Sequence, residues 1–236
     1  MTREYFLDTY KYKSTASITD IVPVDNQTYK LILNKTIFHP QGGGQPSDSG
    51  TISSNNITFK ILSLQNNYDL DTVEHLGVFE GVDDHQLSDI LSTTFAVGQM
   101  VELNIDPVLR SLHSRLHSAG HLLDVALSCI RPDLVPSKGC HFPSSSYVDY
   151  VGEIPAADRM DVVQKLQHQI DVLIRTEIPV TIDVSGARRT IQFGTFSPGE
   201  CGGTHVSNTK ELTGMVVDKI QKVKQSVRIK YSFPIS

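Results

Sequence analysis

Up to about residue 105 the hydrophobic positions fall in short runs, many of them alternating with polar ones. "ITDIVPV", "TYKLILN", "TISSNNITFKILSL", "DTVEHLGVFE" and "GQMVELNI" are separated by clusters of Asn, Asp and Gly. A period of two marks strands with one buried face, and such clusters mark turns. Only "DHQLSDIL" has a helical pattern in this part. Many short strands with little helix predict a small β-barrel.

The period changes at "NIDPVLR". Asp106 followed by Pro107 is a helix cap with proline at the first helical position. Leu109, Leu112, Leu116, Ala119, Leu123, Ala126, Leu127 and Ile130 then recur at steps of mostly three and four. That spacing predicts a helix of roughly 22 residues ending near Pro132. A second helix is expected from Pro155 to about Glu177, with Met160, Val163, Leu166, Ile170, Leu173 and Ile174 inward, and Pro179 stopping it. Strands are expected at "VTIDV", "RTIQFG", "GMVVDKIQKV" and "VRIKYS". The fold class is therefore α+β: an N-terminal barrel domain over 1–105, then an α+β domain over 106–236.

Composition is that of an ordinary globular protein, 39% hydrophobic and 20% charged. No apolar run approaches the ~20 residues of a membrane span, and "MTREYFLDTY" has no apolar segment like that of a signal peptide. Three cysteines, Cys129, Cys140 and Cys201, are too few and too odd for a disulfide framework and suit a reducing cytoplasm. Cys129 is expected in the core end of the first helix, and no obligate protein partner is evident.

The net charge of −5 speaks against a general nucleic-acid binder, but the charge is uneven. Residues 1–100 hold six Lys/Arg against twelve Asp/Glu, whereas 209–236 hold six basic residues against Glu211 and Asp218. A local basic face near the C-terminus can meet phosphate, or it can be the solvated face of a strand pair.

The first helix carries "RSLHSRLHSAGHLL", with His113, His117 and His121 four apart. A four-residue step keeps side chains on neighbouring turns of one face, so either successive pair can grip a metal. Helical geometry alone does not choose between the pairs. Further along, "GECGGTHV" sets Cys201 and His205 four apart in a glycine-rich loop. Thiolate plus imidazole is a ligand set that zinc favours. Glycines at 202 and 203 let the backbone turn tightly enough for both side chains to reach one ion.

Three segments together resemble a known family. "HSAGHLL" looks like the H-[ST]-A-x-H-L-L helix of alanyl-tRNA synthetase editing domains, and "CGGTHVSNTKELTG" matches their C-G-G-T-H-x-x-N-T-x-E-x-G segment. "TIFHPQGGGQPSDSGTI", residues 36 to 52, is similar to the glycine-rich motif upstream. With no aminoacylation domain attached, the chain resembles the free-standing AlaX proteins, in their medium-sized form. The resemblance implies one zinc ion per chain held by His117, His121, Cys201 and His205, with His113 left outside. It implies hydrolysis of mischarged tRNA(Ala) at its acceptor end, seryl-tRNA(Ala) first and glycyl-tRNA(Ala) second. It leaves open whether zinc activates water or orients the substrate. Four protein ligands usually make a closed structural site, so either one ligand, His205, is loose or the ion accepts a fifth partner.

In the glycine motif, which otherwise reads as a tight turn linking two barrel strands, backbone N–H groups of Gly42, Gly43 and Gly44 are expected to meet the ester oxygen or a neighbouring carboxyl-derived charge. Thr36 and Gln45 are expected to offer side-chain groups to the serine hydroxyl, and Thr204 is placed with them. His141, in "GCHF", is expected at the site edge. This chain departs from the family at "SKGC", where the synthetases have Q-K-G-S, and at His39, which replaces an aromatic. Phosphate contacts are expected from Arg110, Arg115, Lys138, Arg188, Arg189, Lys222, Lys224 and Arg228. Two other readings compete: a zinc esterase or peptidase, and a non-catalytic zinc-stabilised tRNA-binding module. Against the peptidase, Ser118 stands where an H-E-x-x-H motif has its glutamate.

Overall fold

The computed structural model describes residues 1–234, Asp84 by its backbone alone, and Ile235 and Ser236 of the expected second domain lie outside them. Two compact units divide the chain: Met1–Gly42 with Pro46–Arg110, and Gly43–Gln45 with Ser111–Ser236. The boundary thus falls a few residues beyond 105, inside the histidine helix, and three residues of the glycine motif group with the second unit.

The first unit is a closed barrel of β1 (Lys13–Pro23), β2 (Thr28–Leu33), β3 (Gly50–Ser54), β4 (Ile57–Asn67), β5 (Thr72–Phe79) and β6 (Met100–Ile105). Around the barrel the order is β1, β2, β5, β4, β3, β6, every neighbouring pair antiparallel. The predicted alternation is realised: in β2 every second residue is buried, and Ile18, Leu31, Leu33, Ile52, Phe59 and Leu103 fill the interior. "TISSNNITFKILSL" is two strands, because Asn55 and Asn56 adopt φ of 48° and 66° and turn the chain as a two-residue hairpin. Helix α1 (Asp84–Ser92) begins at a capping box between Asp83 and Gln86.

Helix α2 (Pro107–Ile130) starts where the sequence predicts, with Asp106 accepting the N–H groups of Val108 and Leu109. Arg110, in its first turn, is not a surface cation. Its side chain is wholly buried and forks onto the carboxylate of Asp48, also wholly buried. Its remaining donors reach the carbonyls of Thr9 (2.9 Å) and Ile37 (2.6 Å). Asp48 in turn accepts the His39 N–H at 2.6 Å, while its own N–H bonds the His39 carbonyl. The expected phosphate contact at Arg110 is therefore corrected: its charge fastens the glycine-motif loop at Ile37, His39 and Asp48.

In the second unit β7 (Val135–Phe142) and β8 (Ser145–Val151) form a hairpin. Helix α3 (Arg159–Arg175) follows, then short strands β9 (Val180–Asp183), β10 (Thr190–Phe193) and β11 (Gly199–Glu200). Strands β12 (Val216–Val223) and β13 (Ser226–Ser232) close the chain. The main sheet runs β12, β13, β8, β7, all antiparallel, and β9, β10 and β11 make a smaller one. Leu122, Leu123 and Ala126 of α2 share one core with Leu166 and Ile170 of α3 and with Tyr150 and Ile229 of the sheet.

Three expectations are corrected here. Helix α3 begins at Arg159 after a single 3₁₀ turn, and Val162 rather than Met160 faces inward; Met160 is 70% exposed. Cys129 lies exposed near the helix end, its thiol donating to the Val125 carbonyl. The β7–β8 hairpin was not anticipated. Pro136 is tolerated in β7 because β7 is an edge strand, where proline is accommodated.

Candidate metal centre

Helix α2 presents His117 and His121 on successive turns, while the loop after β11 supplies Cys201 and His205. One ligating atom from each of the four lies within 4.8 Å of every other. Cys201 Sγ is 3.5 Å from His117 Nε2 and 3.2 Å from His205 Nε2. A tetrahedral zinc ion with its usual bond lengths sets sulfur and nitrogen about 3.5 Å apart, so these residues fit it. His113, the third histidine of the series, is buried and outside the cluster.

The ligands are held from behind. His117 Nδ1 lies 2.7 Å from Gln45 Oε1; an amide oxygen only accepts, so Nδ1 carries the proton and Nε2 is bare toward the metal position. The same oxygen accepts the Thr204 N–H at 3.0 Å, while Gln45 Nε2 donates to Thr204 Oγ1 at 2.8 Å. Thr204 Oγ1 is also 2.7 Å from Ser114 Oγ. Ser118 Oγ accepts the Val206 N–H at 3.0 Å and lies 3.2 Å from His205 Nδ1, which turns the second imidazole. Gln45 and Thr204 are wholly buried. Both serve the ligand network, a role their types and spacing did not reveal.

Gly203 explains part of the C-G-G-T-H pattern. A Cβ there would stand 2.1 Å from His117 Cε1 and 2.8 Å from Gln45 Oε1, so no larger residue lets the loop approach the helix. Downstream, Asn208 caps the 3₁₀ turn Thr209–Leu212, and Glu211 Oε1 accepts the N–H groups of Ser207 and Asn208. The N-T-x-E half of the motif is thus a capping box that fixes the exit of the ligand loop.

The electrostatics favour neutral imidazole. Burial, helped by the nearby Arg189 charge, holds His121 down at about 4. Burial pushes the Cys201 thiol up, while the Gly203 N–H and Arg189 act in the opposite sense. Arg189 is 8% exposed and donates to the Cys201 carbonyl, so its expected phosphate contact is corrected as well.

A cavity of about 340 Å³ opens beside His117, His121 and Cys201 and is bounded also by Asp124, Lys138 and His141. His141 stacks on His117 with ring centroids 4.6 Å apart. The Tyr231 hydroxyl donates to the Leu116 carbonyl at 2.9 Å, so His141 Nδ1 donates to Tyr231 Oη at 2.5 Å. Burial pushes His141 down to about 3. Its ring fits because a Cβ at Gly120 or Gly139 would come within 2.5 Å of it.

Within the glycine motif, Gly43 lines this cavity, and the Gly44 carbonyl accepts the His141 N–H at 2.8 Å. Gly42 and Thr36 group with the first unit. There Thr36 is buried; its hydroxyl accepts the Phe38 N–H at 3.1 Å and lies 2.8 Å from His75 Nε2. His75 Nδ1 donates to the Leu31 carbonyl, so Thr36 donates to Nε2. His75 had no signal in the sequence: its partners lie 39 and 44 residues away.

Of the remaining basic residues, Lys138 lines the cavity and Lys224 is exposed. Arg188 pairs with Glu200, Lys222 with Glu153 and Arg228 with Asp149. Arg115 donates to the Glu211 carbonyl and lies over the Phe233 ring.

No protein-family model matches the chain. Individual proteins do. The alanyl-tRNA editing protein AlaX-L of Pyrococcus horikoshii is 24% identical over 98% of this chain and 57% of its own length. An alanine–tRNA ligase of Leptospira borgpetersenii is 28% identical over 83% of this chain, and alanine–tRNA ligase 1 of Lachnoclostridium phytofermentans 30% identical over 83%. The chain spans only 21% and 23% of those two ligases. Among its described residues no helix is long and apolar enough to cross a membrane. The likeness carried by the three motifs thus extends along nearly the whole sequence, and the chain is similar from end to end to the alanyl-tRNA editing protein AlaX-L.

Proposed function

We propose that this chain is a zinc-dependent deacylase that hydrolyses mischarged tRNA(Ala), seryl-tRNA(Ala) first and glycyl-tRNA(Ala) second, in the cytoplasm. The observation that carries the reading is the convergence of His117, His121, Cys201 and His205 on one point beside a cavity. The similar alanyl-tRNA editing protein and alanine–tRNA ligases suggest the substrate class. A zinc ion held there supplies Lewis acidity to the ester carbonyl or to the attacking water.

The chain's own residues do the rest. Gln45 keeps the His117 proton on Nδ1, so the ring offers its lone pair inward. Gly43 brings bare backbone to the cavity wall, where an N–H can meet developing negative charge. His141, neutral and turned by Tyr231, borders the same space. Lys138 at the rim offers charge to the acceptor-end phosphates.

Discrimination follows from what a synthetic pocket cannot do. A site built for alanine rejects serine weakly, because an added hydroxyl loses little binding energy. A second site that engages the hydroxyl spares alanine, which would leave that site's polar groups unpaired. Thr36 is the proposed contact, and it would trade its bond to His75 for one to serine. The test is deacylation of Ser-, Gly- and Ala-tRNA(Ala), alongside simple amino-acid esters, by zinc-loaded and zinc-stripped protein. Zinc-dependent loss of Ser-tRNA(Ala), with Ala-tRNA(Ala) spared, is expected. Hydrolysis of the simple esters alone would make it a general esterase; binding of tRNA with no turnover would make it a binding module.

A further inference from the structure

Two carboxylates border the cavity beside the metal ligands, and only one of them is neutralised. Glu200 is held by Arg188 at 2.6 Å. Asp124, one helical turn beyond His121 on α2, has no ion-pair partner among the described residues. Its Oδ1 accepts the hydroxyl of Tyr150 at 2.6 Å, and Tyr150 is wholly buried in the sheet. One oxygen is therefore anchored by a rigid phenol, and the carboxylate is fixed against the cavity with no basic side chain paired to it among the described residues. Consistent with that, burial pushes its carboxyl up to about 7. A half-buried charge without a partner is costly, and a cationic ligand relieves the cost.

The cavity's other polar groups do not compete for a cation. Lys138 is itself cationic, while His117 and His121 are spent as metal ligands. The aminoacyl ester named under Proposed function, on which this inference rests, carries one positive charge at its reacting end. That charge is the α-ammonium, one carbon from the scissile carbonyl. We infer that Asp124, oriented by Tyr150, binds the α-ammonium of the aminoacyl group and so sets the position of the ester in the cavity. Asp124 acts as a substrate-binding residue and Tyr150 as its positioning residue.

The consequence is selectivity for a free amino group, whichever amino acid is attached. It is tested by calorimetric titration of the zinc-loaded protein with two stable mimics of the aminoacyl end. One is 3′-(L-seryl)amino-3′-deoxyadenosine; the other carries a hydroxyl in place of its amine. Wild type is expected to bind the amine on the order of tenfold or more tightly than the alcohol. Asp124→Asn keeps the shape and removes the charge, and is expected to bring the two affinities together with zinc content unchanged. Tyr150→Phe keeps the charge and is expected to retain most of the preference.

Equal binding of the two mimics by wild type overturns the inference, as does an Asp124→Asn variant that keeps the wild-type preference. A Tyr150→Phe variant that keeps the full wild-type preference overturns the positioning role of Tyr150, because only the hydroxyl that holds Asp124 is removed. Wild type that binds neither mimic contradicts the deacylase reading itself and the inference with it, a result none of the other arms produces.

Discussion

Gln45 Oε1 lies 2.7 Å from His117 Nδ1, across 72 residues of sequence, and the two side chains define one another. The amide cannot give up this bond without also releasing Thr204, and the imidazole cannot turn its other nitrogen inward. Partners of this kind typically carry a 10–100-fold share of metal affinity. Gln45→Leu is therefore expected to weaken zinc binding by about that factor, read by competition against a chelator of known affinity. An unchanged affinity would reduce Gln45 to a packing residue.

Gly203→Ala tests the close approach of loop to helix. The added methyl would occupy space 2.2 Å from His117 Nδ1, so the loop must retreat and carry Cys201 with it. The protein should fold yet hold zinc at least about tenfold more weakly, since the ligand geometry tolerates only small displacements. Circular dichroism paired with metal analysis separates that result from simple unfolding.

The Arg110–Asp48 pair predicts a large effect on stability. Removing one member of a buried, hydrogen-bonded pair leaves an uncompensated charge and costs about 3–5 kcal/mol. Asp48→Asn and Arg110→Met should each lower the urea midpoint by a corresponding amount, and the double variant should cost less than the sum. Additive losses would show that the two side chains are not coupled.

His75 makes stability depend on pH in a defined window. Burial holds it neutral, with its folded value near 4 against an ordinary 6.5. Between those values the unfolded chain binds more protons, so stability is full above about 6.5 and falls as pH drops toward 4. The loss attributable to His75 across the window is about 3 kcal/mol. His75→Gln cannot titrate, so its stability should fall less than wild type between pH 7 and pH 4 by that order. Parallel curves would remove His75 from the acid response.

The elements legible in the sequence are those whose own period reports their surroundings. The barrel strands alternate because one face is filled, and α2 repeats at three and four because one face is covered. The ligand set was legible because its residue types are unusual and locally spaced, although it took the family resemblance to choose His117 over His113. Long-range partnership was not legible. Arg110 and Arg189 look like surface cations until Asp48 and the Cys201 carbonyl are brought to them. Gln45 looks like a substrate contact until His117 takes its oxygen, and Asp124 is one more polar position on a helix until the sheet delivers Tyr150.

Metal analysis of the purified protein after zinc loading and desalting tests the central claim most directly, with wild type beside single alanine variants of His117, His121, Cys201 and His205 and the fourfold variant. One zinc per chain is expected for wild type, reduced occupancy for each single variant and none for the fourfold variant. Zinc retained at wild-type level by the fourfold variant, or no zinc in the loaded wild type, would contradict the account.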